Sequence, residues 1–217
     1  MLPIIIIRVF LISIFIFFVY NIIYIIKQKR RNQNHNDTSN FNDSKHSNTT
    51  IGFGKMGIMI INIFITLACL NIFFYDYFGV FIPRFNFYAI NAPIQVTGLI
   101  FAMVGNILLN ISYRTLGVYW EYPIDGKRRK KKLVTNGIYS RIRHPIYLSF
   151  YLICIGMFLI LLDLVLLILL FLGGIGIYLQ ALEEEKTLYE AFGNEYMNYT
   201  KQTGRFFAVR KNTKLNS

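Results

Sequence analysis

Cysteine is almost absent from this sequence: of 217 residues, only Cys69 and Cys154 carry a thiol. Both lie inside apolar runs and far apart, so neither a disulfide framework nor a CxxC metal site is on offer. Acidic residues are scarce too, with 11 Asp and Glu against 23 Lys and Arg. Charge of either sign is missing from several long stretches, which excludes the half-buried helices of a soluble protein there, because such helices alternate polar and apolar faces. What fills those stretches is hydrophobic: 54% of the chain is apolar and 17% aromatic, the composition of a protein that lives in a bilayer.

The apolar runs set out the expected architecture. Leu2 to Ile26 lacks the basic start, short core and small-residue cleavage site of a signal peptide, and reads as a membrane anchor. Lys27, Lys29, Arg30 and Arg31 follow it. The stretch from Asn32 to Thr50 is rich in Asn and Ser, too poor in apolar surface to fold, and reads as a cytosolic loop. It holds His35 and His46, which have no Cys or His at ligand spacing beside them and read as solvated side chains. A second span is expected from about Met56 to Ile82 and a third from about Pro93 to Tyr113, with Pro83 and Arg84 in the turn between. From Ile146 to Gln180 the chain is apolar except for Asp163. As one helix this would run to roughly 52 Å, against a hydrocarbon core of about 30 Å, so a break at Leu162, Asp163 and Leu164 is expected to make two antiparallel spans. Gly173, Gly174 and Gly176 would let the second of these pack closely on a neighbour.

Charge then orients the five spans. With the N-terminus outside, only Arg8 and Arg84 of the 23 Lys and Arg fall on the outer side. The basic excess is therefore explained by cytosolic loops and anionic headgroups, and not by nucleic acid. The basic segment Lys127 to Lys132 and the tail from Ala181 share the cytosolic face, so a site built from both would be cytosolic.

Two segments depart from the plain membrane pattern. In the first, Leu133 to Tyr147, proline suits the first helical position and forces its predecessor into extended geometry, so His144 should cap a helix that starts at Pro145. Tyr147 can point to the same side as His144, and the helix start is a natural seat for a carboxylate. The plainer alternative is that Arg141, Arg143 and His144 anchor a helix end among headgroups. In the second segment, Gln180 to Tyr199, a continuous helix would align Glu184, Leu188, Phe192, Tyr196 and Tyr199 on one apolar stripe. A carboxylate on that stripe needs a partner, which marks Glu184 over Glu183 and Glu185. Here the alternative is a solvated helix end balanced by the basic segment.

Together these segments resemble the isoprenylcysteine carboxyl methyltransferase and phospholipid methyltransferase family. The blocks are Leu133 to Tyr139, Arg143 to Tyr147 and Glu184 to Tyr199, in the family's order and with a helical hairpin between the second and third. The resemblance implies an all-α membrane protein of about five transmembrane helices, ending in that hairpin, with a cytosolic pocket for S-adenosylmethionine. With the N-terminal anchor over 1–31 and the Asn-rich loop over 32–55 read from composition, it implies a methyltransferase domain over 56–217 whose cofactor-binding core is 127–207. Leu133, Val134, Tyr139, His144, Pro145, Ile146, Tyr147 and Glu184 match the family's cofactor-binding positions, with Glu184 and His144 as the catalytic candidates. The implied acceptor is lipidic and enters from the bilayer: a prenylcysteine carboxylate first, a phospholipid amine second. A scaffold that keeps the fold without turnover is the third reading. The implied membrane is the plasma membrane of a prokaryote or the endoplasmic reticulum of a eukaryote. Four residues before Glu184, where prenylcysteine methyltransferases carry a substrate-binding Arg, this chain has Gln180, which can hydrogen-bond an acceptor but cannot neutralise a carboxylate. Ser149 stands where the family has Gly, and its prolines are absent around Gly204 and Ala208.

Overall fold

The computed structural model describes residues 53–74, 81–87, 90–117 and 132–208, together with Tyr77 and scattered positions between 5 and 27. Those scattered positions are helical. The Asn-rich loop, His35, His46 and most of the basic segment before Lys132 lie outside the described residues.

Five helices carry the described fold: α1 (Phe53–Phe73), α2 (Asn91–Leu116), α3 (Pro145–Leu161), α4 (Leu164–Phe192) and α5 (Asn194–Gln202), with a 3-10 turn at Gly137–Ser140. By length and composition, α2 and α4 are able to cross a membrane, while α3 is a shorter apolar helix of 17 residues. Val96, Ile100, Val104, Ile107 and Ile111 of α2 and Ile168, Phe171, Leu172 and Ile175 of α4 point outward, the surface that lipid accepts. Within the second expected span, α1 runs Phe53–Phe73, and Tyr77 and Phe81 beyond it are also helical. Beyond it, Pro83 and Phe85 are drawn into hydrogen bonds with the α3–α4 turn: Phe85 N–H donates to the Leu162 carbonyl at 2.8 Å, and Leu164 N–H to Pro83 at 3.2 Å.

The long apolar run does break at residues 162–163, and the chemistry of the break needs no glycine or proline. Leu162 takes a left-handed conformation (φ 52°), and Asp163 caps α4, its carboxylate accepting from Val165 N at 2.8 Å and Leu166 N at 3.2 Å. The same side chain is fully buried and faces Asn71 Nδ2 at 3.5 Å; Asn71 in turn accepts from Arg84 Nη2 at 3.1 Å. Asp163→Ala removes the cap and one end of this buried chain, and should cost about 2 kcal/mol, with Asp163→Asn losing less because its amide oxygen still caps. Thermal unfolding in detergent reads the difference, and equal midpoints for both variants and the parent would refute the account.

Small residues bring the helices together. At Gly156 in α3, an added Cβ would lie 2.6 Å from Gly98 O and 2.6 Å from Ala102 N, so α2 and α3 cross backbone to backbone. Gly105 sits against Ile153 in the same interface, and buried Gln95 donates to Ile160 O at 3.0 Å to fix its register. In α4, Gly173 leaves room for Ile61 of α1, Gly174 lies beside Tyr151, and Gly176 is buried. The core between the two helix pairs holds Phe64, Leu109, Cys154, Ile160, Leu166 and Ile177.

Candidate active site

The hairpin returns the end of α4 to the start of α3, and that is where the polar side chains gather. Pro145 occupies the first turn of α3 and His144 is its N-cap residue, as the His-Pro pair predicts, but its side chain makes no cap hydrogen bond. The ring turns instead toward α4. His144 Nδ1 lies 3.5 Å from Glu184 Oε2, and Nε2 lies 3.2 Å from Glu185 Oε1. Tyr147, one turn on, stacks on the imidazole with ring centres 5.4 Å apart and planes 16° apart.

Glu185, which the apolar stripe did not single out, is the more heavily engaged carboxylate. It accepts from Arg143 Nε at 3.0 Å, and Arg205 grips both its oxygens, Nε to Oε1 at 3.0 Å and Nη2 to Oε2 at 2.6 Å. Arg143 also donates to the carbonyls of Thr200 and Thr203. No single helix runs through Tyr199: Gly193, at φ 53°, ends α4 and starts α5. Tyr196 is nevertheless buried, and Tyr199 reaches across to donate its hydroxyl to the Tyr139 carbonyl at 2.7 Å.

Arg205 and Phe206 belong to a segment that comes back along the approach to α3, pairing Ile142 with Gly204. Its neighbours lie some 60 positions away in sequence, beyond the reach of any helical or strand period. Of the expected cofactor-binding residues, His144, Tyr147 and Glu184 meet directly. Tyr139 is buried in the 3-10 turn that packs on the end of α2, Leu133 and Val134 lead into that turn, and Pro145 and Ile146 open α3. Gln180 lies one helical turn before Glu184.

Electrostatics biases the protonation of the cluster. Burial alone would lower the His144 pKa, but hydrogen bonds to Glu184 and Glu185 outweigh it and hold the imidazole above its ordinary value. Geometry points the same way: each ring nitrogen faces a carboxylate, an arrangement that favours the protonated imidazole with its two N–H donors. Burial would raise the Glu185 carboxyl, yet the bonds from His144, Arg205 and Arg143 hold it well below the usual carboxylate range. Burial, with Glu184 adding to it, pushes the Tyr139 phenol well up, and burial lifts Tyr199 to about 12, so both remain neutral donors.

Two polar atoms near this cluster are buried without a hydrogen-bond partner among the described residues: Gln180 Oε1 and the Tyr196 hydroxyl oxygen. Each is an unmet hydrogen-bonding capacity that a bound molecule can complete. Glu184, held by His144 on one oxygen, keeps 23% of its side chain exposed and so stays within reach of a ligand hydroxyl or ammonium. Together these atoms leave hydrogen-bonding capacity for a bound small molecule beside the His144 and Tyr147 rings.

Comparison with known proteins gives this geometry a context. Residues 93–195 match the family model described as phospholipid methyltransferase. Over 124 residues the chain is 27% identical to the protein-S-isoprenylcysteine O-methyltransferase of Xenopus laevis, a match that covers 56% of this chain and 43% of that relative. The chain thus aligns with less than half of the relative's length. The family match takes in α2, both arms of the hairpin, His144, Glu184 and Glu185, so it is over residues 93–195, the stretch that carries the site, that this chain resembles the phospholipid methyltransferase family.

Proposed function

We propose that the cluster around His144 and Glu184 binds S-adenosylmethionine and that the protein transfers its methyl group to a lipidic acceptor. The observation that carries this reading is the meeting of His144 Nδ1 with Glu184 Oε2 at 3.5 Å, across the two ends of the hairpin. Glu184, His144, Tyr139 and Tyr147 would hold the cofactor, with its carboxylate toward the start of α3 and Leu133, Val134, Pro145 and Ile146 lining the apolar side, and Gln180 would face the acceptor. When bound, S-adenosylmethionine supplies a methyl group already activated on a sulfonium. The protein's tasks are then to align the acceptor, exclude water and keep its own charges in place. Tyr147 offers a face to a cation.

The acceptor decides whether a base is needed. A carboxylate attacks as it stands. An amine must first lose a proton, and Glu184, part-exposed and facing His144 through one oxygen, is placed to take it, with His144 as the second candidate. The name of the Xenopus relative supports a prenylcysteine carboxylate as the acceptor. The neutral Gln180 leaves room for the second reading, a phospholipid amine, because an amide hydrogen-bonds an acceptor without neutralising a carboxylate. The topology that goes with this function has five spans, an N-terminal anchor over 1–31, a loop over 32–55 and the enzyme domain over 56–217, its core at 127–207. The N-terminus lies outside and the site opens to the cytosol from the plasma membrane or the endoplasmic reticulum.

Labelled S-adenosylmethionine supplied to membranes carrying the protein should transfer label to lipid-extractable product. Label released by mild base identifies an ester, and label retained identifies an N-methyl group. Glu184→Gln should weaken cofactor binding by about tenfold, the equivalent of one charge-assisted hydrogen bond. Calorimetric titration of the detergent-solubilised protein measures this. Absence of saturable heat in the parent protein would leave a non-catalytic scaffold.

A further inference from the structure

After α5 the chain turns back and lies beside the residues that lead into α3. Arg143 N–H donates to Gly204 O at 2.8 Å, His144 N–H to Arg205 O at 3.0 Å, and Gly204 N–H to Arg141 O at 3.2 Å. Phe206 sits over the His144 ring with centres 6.1 Å apart, and meets Tyr151 of α3 at 5.7 Å and Tyr178 of α4 at 6.3 Å. The segment thus ties both the backbone and the ring of His144. From its middle, the Arg205 guanidinium turns toward α4, where it grips Glu185, donates to the Tyr178 hydroxyl at 3.2 Å and lies 5.4 Å from the centre of that ring.

We propose that Arg205 is a positioning residue of the methyl-transfer site: by fixing both oxygens of Glu185 it holds that carboxylate on His144 Nε2, and so keeps Nδ1 facing Glu184. The proposal rests on the reading of the site as a methyltransferase centre. Arg143 cannot do the same work. It reaches Glu185 through Nε to a single oxygen, and its Nη1 is committed to the carbonyls of Thr200 and Thr203. A carboxylate held through one oxygen can swing about its last bond, and the imidazole, no longer tied at Nε2, can flip and withdraw Nδ1 from Glu184. A fork that spans both oxygens forbids the swing, and lysine, a point charge on a flexible stem, does not.

The test compares Arg205→Lys and Arg205→Ala with the parent in the full chain, solubilised in detergent. Two quantities are read: the rate at which diethyl pyrocarbonate modifies His144, followed by peptide mass spectrometry, and the kcat and KM of methyl transfer. In the parent, His144 is 4% exposed and should react slowly. Both variants should react about tenfold faster, the factor expected for one lost charge-assisted contact, and should lose kcat more than cofactor affinity. Arg205→Lys keeps the charge, so a thermal midpoint near that of the parent separates positioning from unfolding. Parent-like modification of His144 in both variants overturns the proposal. Faster modification with no methyl transfer even in the parent supports the coupling of Arg205 to His144 and overturns the functional reading instead.

Discussion

Glu185→Ala should be among the most damaging single substitutions in the protein, costing about 3 kcal/mol of stability and removing methyl transfer with it. The carboxylate is the common partner of Arg143, His144 and Arg205, whose side chains are 11%, 3% and 27% exposed. Without it, three cations face one another in a largely dry space, and the segment carrying Arg205 has lost its strongest attachment to α4. Two measurements report the effect: a lower unfolding midpoint in detergent, and faster tryptic cleavage after Arg205. An unchanged midpoint together with unchanged cleavage would contradict the network.

The same network gives a pH dependence whose sign is fixed. Glu185 is held below its ordinary 4.5, so its contribution is complete above that value and is lost as pH falls below it. His144 is held above its ordinary 6.5, so its contribution is complete below that value and is lost as pH rises through the raised one. Stability from this cluster should therefore be greatest between pH 4.5 and 6.5 and decline on both sides. Glu185→Ala should abolish the acid limb and shallow the alkaline one.

Gly156→Leu should be as disruptive at the other structural joint. Even a Cβ at this position would stand 2.6 Å from Gly98 O and Ala102 N, which are backbone atoms and cannot turn aside as a side chain can. Overfilling a packed interface costs about 1–3 kcal/mol for modest insertions, and a leucine here should reach or exceed the upper figure. Forcing α2 and α3 apart also pulls Gln95 from the Ile160 carbonyl and leaves a buried amide unpaired. Titration with a denaturing detergent, read by loss of helix signal, should show Gly156→Ala intermediate between the parent and Gly156→Leu. A Gly156→Leu curve that overlays the parent would mean the two helices do not meet here.

The helices were legible in the sequence because lipid imposes a simple rule, long runs without charge, and the lone Asp163 marked the one place where such a run could turn. The His144-Pro145 start was legible for an equally local reason, the steric demand of proline on its neighbour. Judging the three glutamates by the apolar stripe reached Glu184, which does meet His144, but passed over Glu185. The deciding partners of Glu185 arrive from a segment folded back over the site, and local periodicity carries no trace of that return. Pro83 and Arg84 were legible as a turn, but not the pairing of the Pro83 and Phe85 backbone groups with the hairpin turn some 80 positions away.

The brevity of α3 has its own consequence within the proposed topology. Seventeen residues extend about 26 Å, a few ångströms short of an ordinary hydrocarbon core of about 30 Å. With Asp163 at one end and His144 at the other, neither end can slide inward to make up the difference, so the surrounding lipid must compress to meet it. A thinned annulus lowers the headgroup plane toward His144, and an amphiphile drifting into it would bring its polar end to the reacting depth without leaving its leaflet.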